Sequence, residues 1–424
     1  MSPTSSGQEI VLGNIPNVHP GVESSPSQQL SFQVLSNGSE TSPHVYFNTP
    51  AWPLQDQQEA RLLRHFIDNV APFFDLCDPR RHFQITIPQR TTTCPTLLNA
   101  ILAASASHLC QFAQFDSLVA NFYVQECLQQ LLPMMGGVTG MMDENSFAAI
   151  VILRFVEELN APMSSSRHES PRSRLLDTHI LANAPTNCIE VSSVQRASYW
   201  VCMQQDIYMS FVAQQSTLAP HEFCTADRSV AQADDWTWTK RIMLHCADLL
   251  LYCFGEGEHS VGTYDALVRQ CADWSTFKPA SFHPIFFKEP SMLGVDIFPE
   301  VWLLNDAAAA GIQHYHLGMI LLTAHNPKAP LVGPDQRQVL KLLDDEIKGH
   351  VRIICGIAKS NGTASSPSNW RTATMAISMA GDRFRGRHEQ IALMNVLDTT
   401  EKKQIWPTNT IKAHIKEAWG WRSV

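Results

Sequence analysis

From Leu62 onward, apolar residues recur at helical spacing. Leu62, Leu63, Phe66, Ile67 and Val70 fall at i, i+1, i+4, i+5 and i+8, one face of a helix that Pro72 is expected to end. Pro95 suits the first turn of the next helix, where Leu97, Leu98, Ile101, Leu102 and Leu109 repeat. The same pattern predicts helices over 116–132, 143–160, 191–214, 236–254, 261–274, 299–325, 334–359, 370–380, 389–397 and 408–419. Strand-like alternation is weak. Its best case is Phe83-Gln84-Ile85-Thr86-Ile87, closed by Pro88. Helix follows helix with no β-α alternation, so the expected fold is all-α, a large antiparallel array of about ten or more helices.

Residues 1–56 read differently. They are rich in Ser, Pro, Gln and Asn, hold no Lys or Arg, and carry Glu9, Glu23 and Glu40. Their short apolar pieces cannot bury enough area to offset ordering entropy, so a disordered tail is expected, followed by one domain over 57–424. Two further stretches, 163–172 and 360–369, are polar and breaker-rich and read as exposed loops. In the first, Ser170 lies between Arg167 and Pro171 and could accept phosphate beside Arg172 and Arg174.

Composition narrows the function classes. Of 424 residues only 17% are charged, against about a quarter in a typical soluble domain, and the formal net charge is −9. An acidic balance argues against a broad phosphate-binding face. No apolar run approaches the roughly 20 residues of a membrane span, and the first basic residue is Arg61, so neither a membrane span nor a basic leader is expected. The 11 cysteines are scattered, with no C-x-x-C pair. They read as reduced, buried thiols inside the cell, without zinc spacing.

The chemical motifs that could signal a reaction are incomplete. Gly381-Asp382-Arg383-Phe384-Arg385-Gly386-Arg387-His388 copies the glycine spacing of a phosphate loop but lacks its lysine and hydroxyl. Its three arginines could form a small anion-binding or partner-facing patch. On one helix His314 and His316 point about 200° apart, and His314 and His325 lie about 16 Å apart, so these histidines cannot share a metal. Asp344-Asp345-Glu346, flanked by Lys341 and Lys348, reads as an ion-paired solvated face. No serine-hydrolase elbow is present. No catalytic, cofactor-binding, metal or DNA-binding residue is assigned, no cofactor is expected, and an enzyme is the lesser reading.

Five stretches, in order, resemble a known family. They are His65-Phe66-Ile67-Asp68-Asn69-Val70-Ala71-Pro72-Phe73-Phe74-Asp75-Leu76-Cys77-Asp78-Pro79, then Cys94 to Ala103, then Trp200-Val201-Cys202-Met203-Gln204-Gln205-Asp206-Ile207-Tyr208. Pro299-Glu300-Val301-Trp302 to His325 follows, and Ile405-Trp406-Pro407-Thr408 with Glu417-Ala418-Trp419-Gly420 closes the series. Together they resemble the fungal-specific transcription factor domain, over roughly residues 58–422. The resemblance implies an all-α regulatory domain that responds to metabolites or partners. That family's DNA-binding module carries six cysteines and basic residues, whereas here no cysteine precedes Cys77. Direct nucleic-acid binding through a zinc cluster is therefore not expected of this polypeptide. Beside the resemblance, Asp75 and Asp78 suit side-chain turns around Pro79, and Gln205 and Asp206 suit buried polar pairing between helices.

The expected function is a nuclear transcription regulator of the zinc-cluster class, controlling a metabolic or specialised-metabolite pathway. Its expected partners are other transcription regulators or a second copy of itself, with a small-molecule ligand possible and no membrane. The alternative is a small-molecule-binding protein or enzyme of specialised metabolism on the same fold.

Overall fold

The computed structural model describes residues 51–111, 115–135, 143–160, 193–217, 227–257, 259–290, 296–330, 332–362 and 367–421. Residues 1–50 of the tail expected over 1–56, the loop with Ser170, and Cys188 and Cys224 lie outside them. Helices dominate: α1 Gln57–His65, α2 Ala71–Phe74, α3 Thr86–Arg90, α4 Pro95–Cys110, α5 Ser117–Met135, α6 Glu144–Asn160 and α7 Ser193–Ala213. Then come α8 Asp235–Phe254, α9 Val261–Phe277, α10 Asp306–Ala324, α11 Gln336–Asn361, α12 Pro367–Ala380, α13 Arg387–Gln404 and α14 Asn409–Ala418. The all-α expectation holds, with one small exception described below.

Pro72 does not end the first helix. After α1 the chain widens into a π-type turn, Phe66–Val70, in which the Ala71 N–H donates to the Phe66 carbonyl. The shift starts a new helical segment, and Pro72 falls in its first turn, where a missing N–H costs nothing. The strand expected at 83–87 is also absent. Phe83 and Ile87 are fully buried while Ile85 is 51% exposed, which is helical rather than strand spacing. Pro88 sits in the first turn of α3, again without a lost hydrogen bond.

The helix predicted over 299–325 begins late. Glu300–Trp302 instead forms a strand, β2, paired antiparallel with β1, Phe286–Lys288. Asn305 then caps α10, its side chain accepting the Ala308 N–H at 2.8 Å. The outer edge of β2 is met by the C-terminal end of α11. The Val301 N–H donates to Ser360 Oγ at 3.1 Å, the Leu303 N–H to Asn361 Oδ1 at 2.9 Å, and Asn361 Nδ2 returns a bond to the Val301 carbonyl at 2.7 Å. Hence Ser360 and Asn361 are not loop residues, and Ser368 and Asn369 are buried in α12.

Two apolar clusters organise the body. The larger draws residues from every helix, α1 to α14. The smaller joins Trp238, Ile242, Trp274, Phe282, Val301 and Ile357. Several polar groups inside the larger cluster are paired across helices. Arg154 of α6 lies 3.5 Å from Asp206 of α7, and Gln205 Nε2 donates to the Val151 carbonyl at 3.1 Å. Arg371 of α12 bonds Glu158 of α6 and stacks 3.8 Å from the Tyr208 ring centroid and 4.6 Å from that of Trp406. Trp406 Nε1 donates to the Tyr208 hydroxyl at 2.9 Å. Ile405, the residue before it, adopts a left-handed φ of 54° that ends α13 and turns Trp406 inward.

Candidate functional site

Two of the resembling stretches, far apart in sequence, meet at one cleft. Asp75 sits at the end of α2, and both its oxygens are engaged: the Phe83 N–H donates to one at 3.0 Å and the Gln84 N–H to the other at 2.8 Å. Burial pushes this carboxyl up to about 8 against the pull of those N–H groups. Asp78 accepts the Arg80 N–H at 3.1 Å and the His82 N–H at 2.8 Å, and its Oδ2 lies 2.6 Å from His82 Nδ1. These aspartates do shape a turn, and it reaches beyond Pro79 to residue 84. Arg81 takes up the tightest point, with a left-handed φ of 51°.

The turn packs against the outer face of α7. Between them lies a cleft of about 260 Å³, lined by Phe74, Cys77, Asp78, Trp200 and Gln204, with Arg80, Arg196 and Lys240 adding positive charge. Lys240 stands over the Trp200 ring, 5.1 Å from its centroid. Asp78 is committed to His82 and the backbone, so the cleft favours an anionic or acidic partner. Its thiol is not a nucleophile: burial pushes Cys77 up to about 12, and its Sγ lies 3.4 Å from the Met243 sulfur. The arrangement suits recognition rather than bond-making. Sequence reasoning found the aspartates and the α7 stretch but missed Lys240, which reaches the cleft from α8 and carried no local signal.

The other candidates disperse. The nine described cysteines are free thiols, seven of them buried. His314 Nδ1 donates to the Ala310 carbonyl at 2.7 Å and His325 Nδ1 to that of Leu321 at 3.1 Å, while His316 faces His350 at 2.8 Å. Among the described residues no three His, Cys, Asp or Glu groups converge as metal ligands. Two of the three arginines of 381–388 are engaged: Arg383 bonds Asp344 at 3.1 Å, and Arg387 stacks 3.7 Å from the Trp421 ring centroid. Lys348 pairs with Asp344 at 2.5 Å, as the ion-paired face required. Among the described residues no helix is long and apolar enough to cross a membrane.

Residues 61–205 match the family model of the fungal specific transcription factor domain. The matched segment is about a third of the chain and runs from α1 into α7, so it contains the first of the two stretches that build the cleft and, of the second, Trp200 and Gln204, which line it. The match supports a transcription-regulator role. The resembling stretches beyond residue 205 lie outside it. No curated protein and no solved structure matches the chain.

Proposed function

We propose that this chain is the regulatory helical domain of a nuclear transcription regulator of the fungal zinc-cluster class, acting on a metabolic or specialised-metabolite pathway. The observation that carries the reading is the family match over 61–205. The cationic cleft built by that segment together with Lys240 of α8 supports it, because it offers an acidic partner a defined seat. Residues 1–424 hold no six-cysteine cluster, so contact of this stretch of sequence with promoters is proposed to run through another regulator.

The test is a tagged chromosomal copy beside a deletion strain. Nuclear accumulation, and transcripts that change on deletion and are restored by the wild type but not by an R80E/K240E variant, are expected. Extranuclear protein, or unchanged transcripts, would overturn the reading. Altered metabolites with unchanged transcripts would favour a small-molecule-binding protein or enzyme on this fold.

A further inference from the structure

The β1–β2 hairpin leaves a face and an edge uncovered. β2 alternates as a strand lying on the core should: Val301 and Leu303 are buried, while Glu300, Trp302 and Leu304 point outward. Two of those three outward residues are large and apolar. β1 has no buried side, since every residue from His283 to Glu289 is exposed. Ile285, Phe286, Phe287, Trp302 and Leu304 thus keep 42–63% of their surface in water, and the Phe286 and Trp302 rings meet with centroids 5.5 Å apart. At about 150–250 Å² for a whole aromatic side chain, the five leave about 500 Å² of apolar surface, in the upper part of what a monomer carries in one patch.

The backbone beneath these side chains is open as well. The sheet has two strands, so β1 is an edge. The outer edge of β2 is closed by Ser360 and Asn361. Because Val301 turns its N–H and carbonyl to α11, Phe287, its partner in register, occupies a non-bonded position of the ladder. The Phe287 N–H and carbonyl therefore point away from β2, and among the described residues no backbone group meets them. Such an edge is a template for another strand.

The side chains fit a second copy of β1. Antiparallel pairing about a two-fold axis at Phe287 joins the two Phe287 residues by two backbone bonds and closes on itself. It sets Phe286 of each copy against Lys288 of the other. Across the four strands the outward row then reads Trp302, Phe286, Lys288, Glu300, the last two from the second copy. Each ammonium lies between an aromatic ring and a carboxylate, and no like charges stand opposite one another. Area agrees: a standard interface takes about 800 Å² per partner, about 65% of it apolar in homodimers, which is close to the apolar surface exposed on this hairpin.

We propose that the chain forms a two-fold dimer by pairing β1 with β1 of a second copy, centred on Phe287. The dimer goes beyond the regulatory reading and does not depend on it.

Sedimentation equilibrium of the full chain between about 1 and 100 μM tests the proposal. A monomer–dimer equilibrium with its midpoint in that range is expected. F287P removes an N–H that serves only the open edge and leaves the bonds between β1 and β2 in place, so it should raise the dissociation constant by about tenfold or more. K288E, which sets a carboxylate against Phe286 and Glu300, should weaken the dimer too. It alters an exposed side chain, so it keeps the proposal testable if F287P does not fold. L118D, which removes an exposed leucine from α5, should leave association unchanged. A wild-type chain that stays monomeric at the highest concentration would leave the edge to another protein or to water, and would overturn the proposal. Equal association of wild type, F287P and K288E would place the contact elsewhere and overturn it as well. Either failure leaves the transcript test of the regulatory role untouched.

Discussion

The guanidinium of Arg371 bonds the carboxylate of Glu158 at 2.8 Å, with side chains only 9% and 3% exposed. The pair joins α12 to α6 across 213 residues of chain. Removing one partner strands a charge in the interior, at a cost of about 3–5 kcal/mol, whereas replacing both with apolar residues costs much less. E158L alone should therefore lower stability by about that amount, and E158L/R371M should recover most of it. Urea denaturation of the four proteins measures the difference. Equal losses in the single and double variants would mean that the pair does not act as a unit.

A second prediction concerns pH. Burial pushes His108 and His316 down to about 3, and His245, His314 and His350 to about 4. In the unfolded chain an imidazole protonates near 6.5. Between about pH 6.5 and 4 the unfolded state then binds more protons than the folded one, so stability falls as the pH drops through this window. Each histidine contributes up to about 1.4 kcal/mol per pH unit there. His108 has a fixed tautomer: its Nε2–H donates to the Gln404 carbonyl at 3.1 Å, so its Nδ1 accepts from His65 Nε2 at 3.0 Å. Denaturation at pH 7.5, 6 and 5 should show a steep loss, and H350L should reduce the slope by about one proton. A flat profile would contradict it. Asp75 acts oppositely: with its carboxyl near 8 in the fold, its contribution declines as pH rises from about 4 to 8, so D75N should remove the decline above about pH 6.5 and steepen the histidine-driven loss below it.

Two glycines of α11 should respond with opposite signs. A Cβ on Gly356 would stand 2.3 Å from the Pro299 carbonyl oxygen, a backbone atom that cannot swing away. G356A should cost about 1–3 kcal/mol. Nothing lies within 4 Å of a Cβ on Gly349, so G349A should stabilise the same helix by about 0.5–1 kcal/mol. Melting temperatures of the two variants check both signs.

At the cleft, D78A removes the acceptor for two backbone N–H groups and for His82. A loss of about 1–3 kcal/mol is expected. Faster amide exchange should be confined to residues 79–84. Protection unchanged there would show that the turn is held by Asp75 alone.

Most of this architecture was legible along the chain, because long amphipathic helices announce themselves through spacing. What escaped depended on contacts distant in sequence. Val301 and Trp302 look like the start of α10, but Ser360 and Asn361 from α11 hold that backbone extended, and the helix starts only after its Asn305 cap. Pro72 and Pro88 looked like stops because their place in a first turn depends on a register shift and on Asp75. The cleft at Asp75 and Asp78 was half visible, since its turn chemistry is local while Lys240 is not.

The Glu158–Arg371 pair carries one more consequence. The stretch that the family model recognises stops at residue 205, but the counterion of its Glu158 lies on α12, and the Tyr208 ring just beyond it leans on the same arginine. A protein cut at the boundary of recognition would carry an orphaned negative charge into its own interior. The unit that is recognised and the unit that folds are thus different lengths of chain, and half-proteins divided at that point should fail together rather than fold apart.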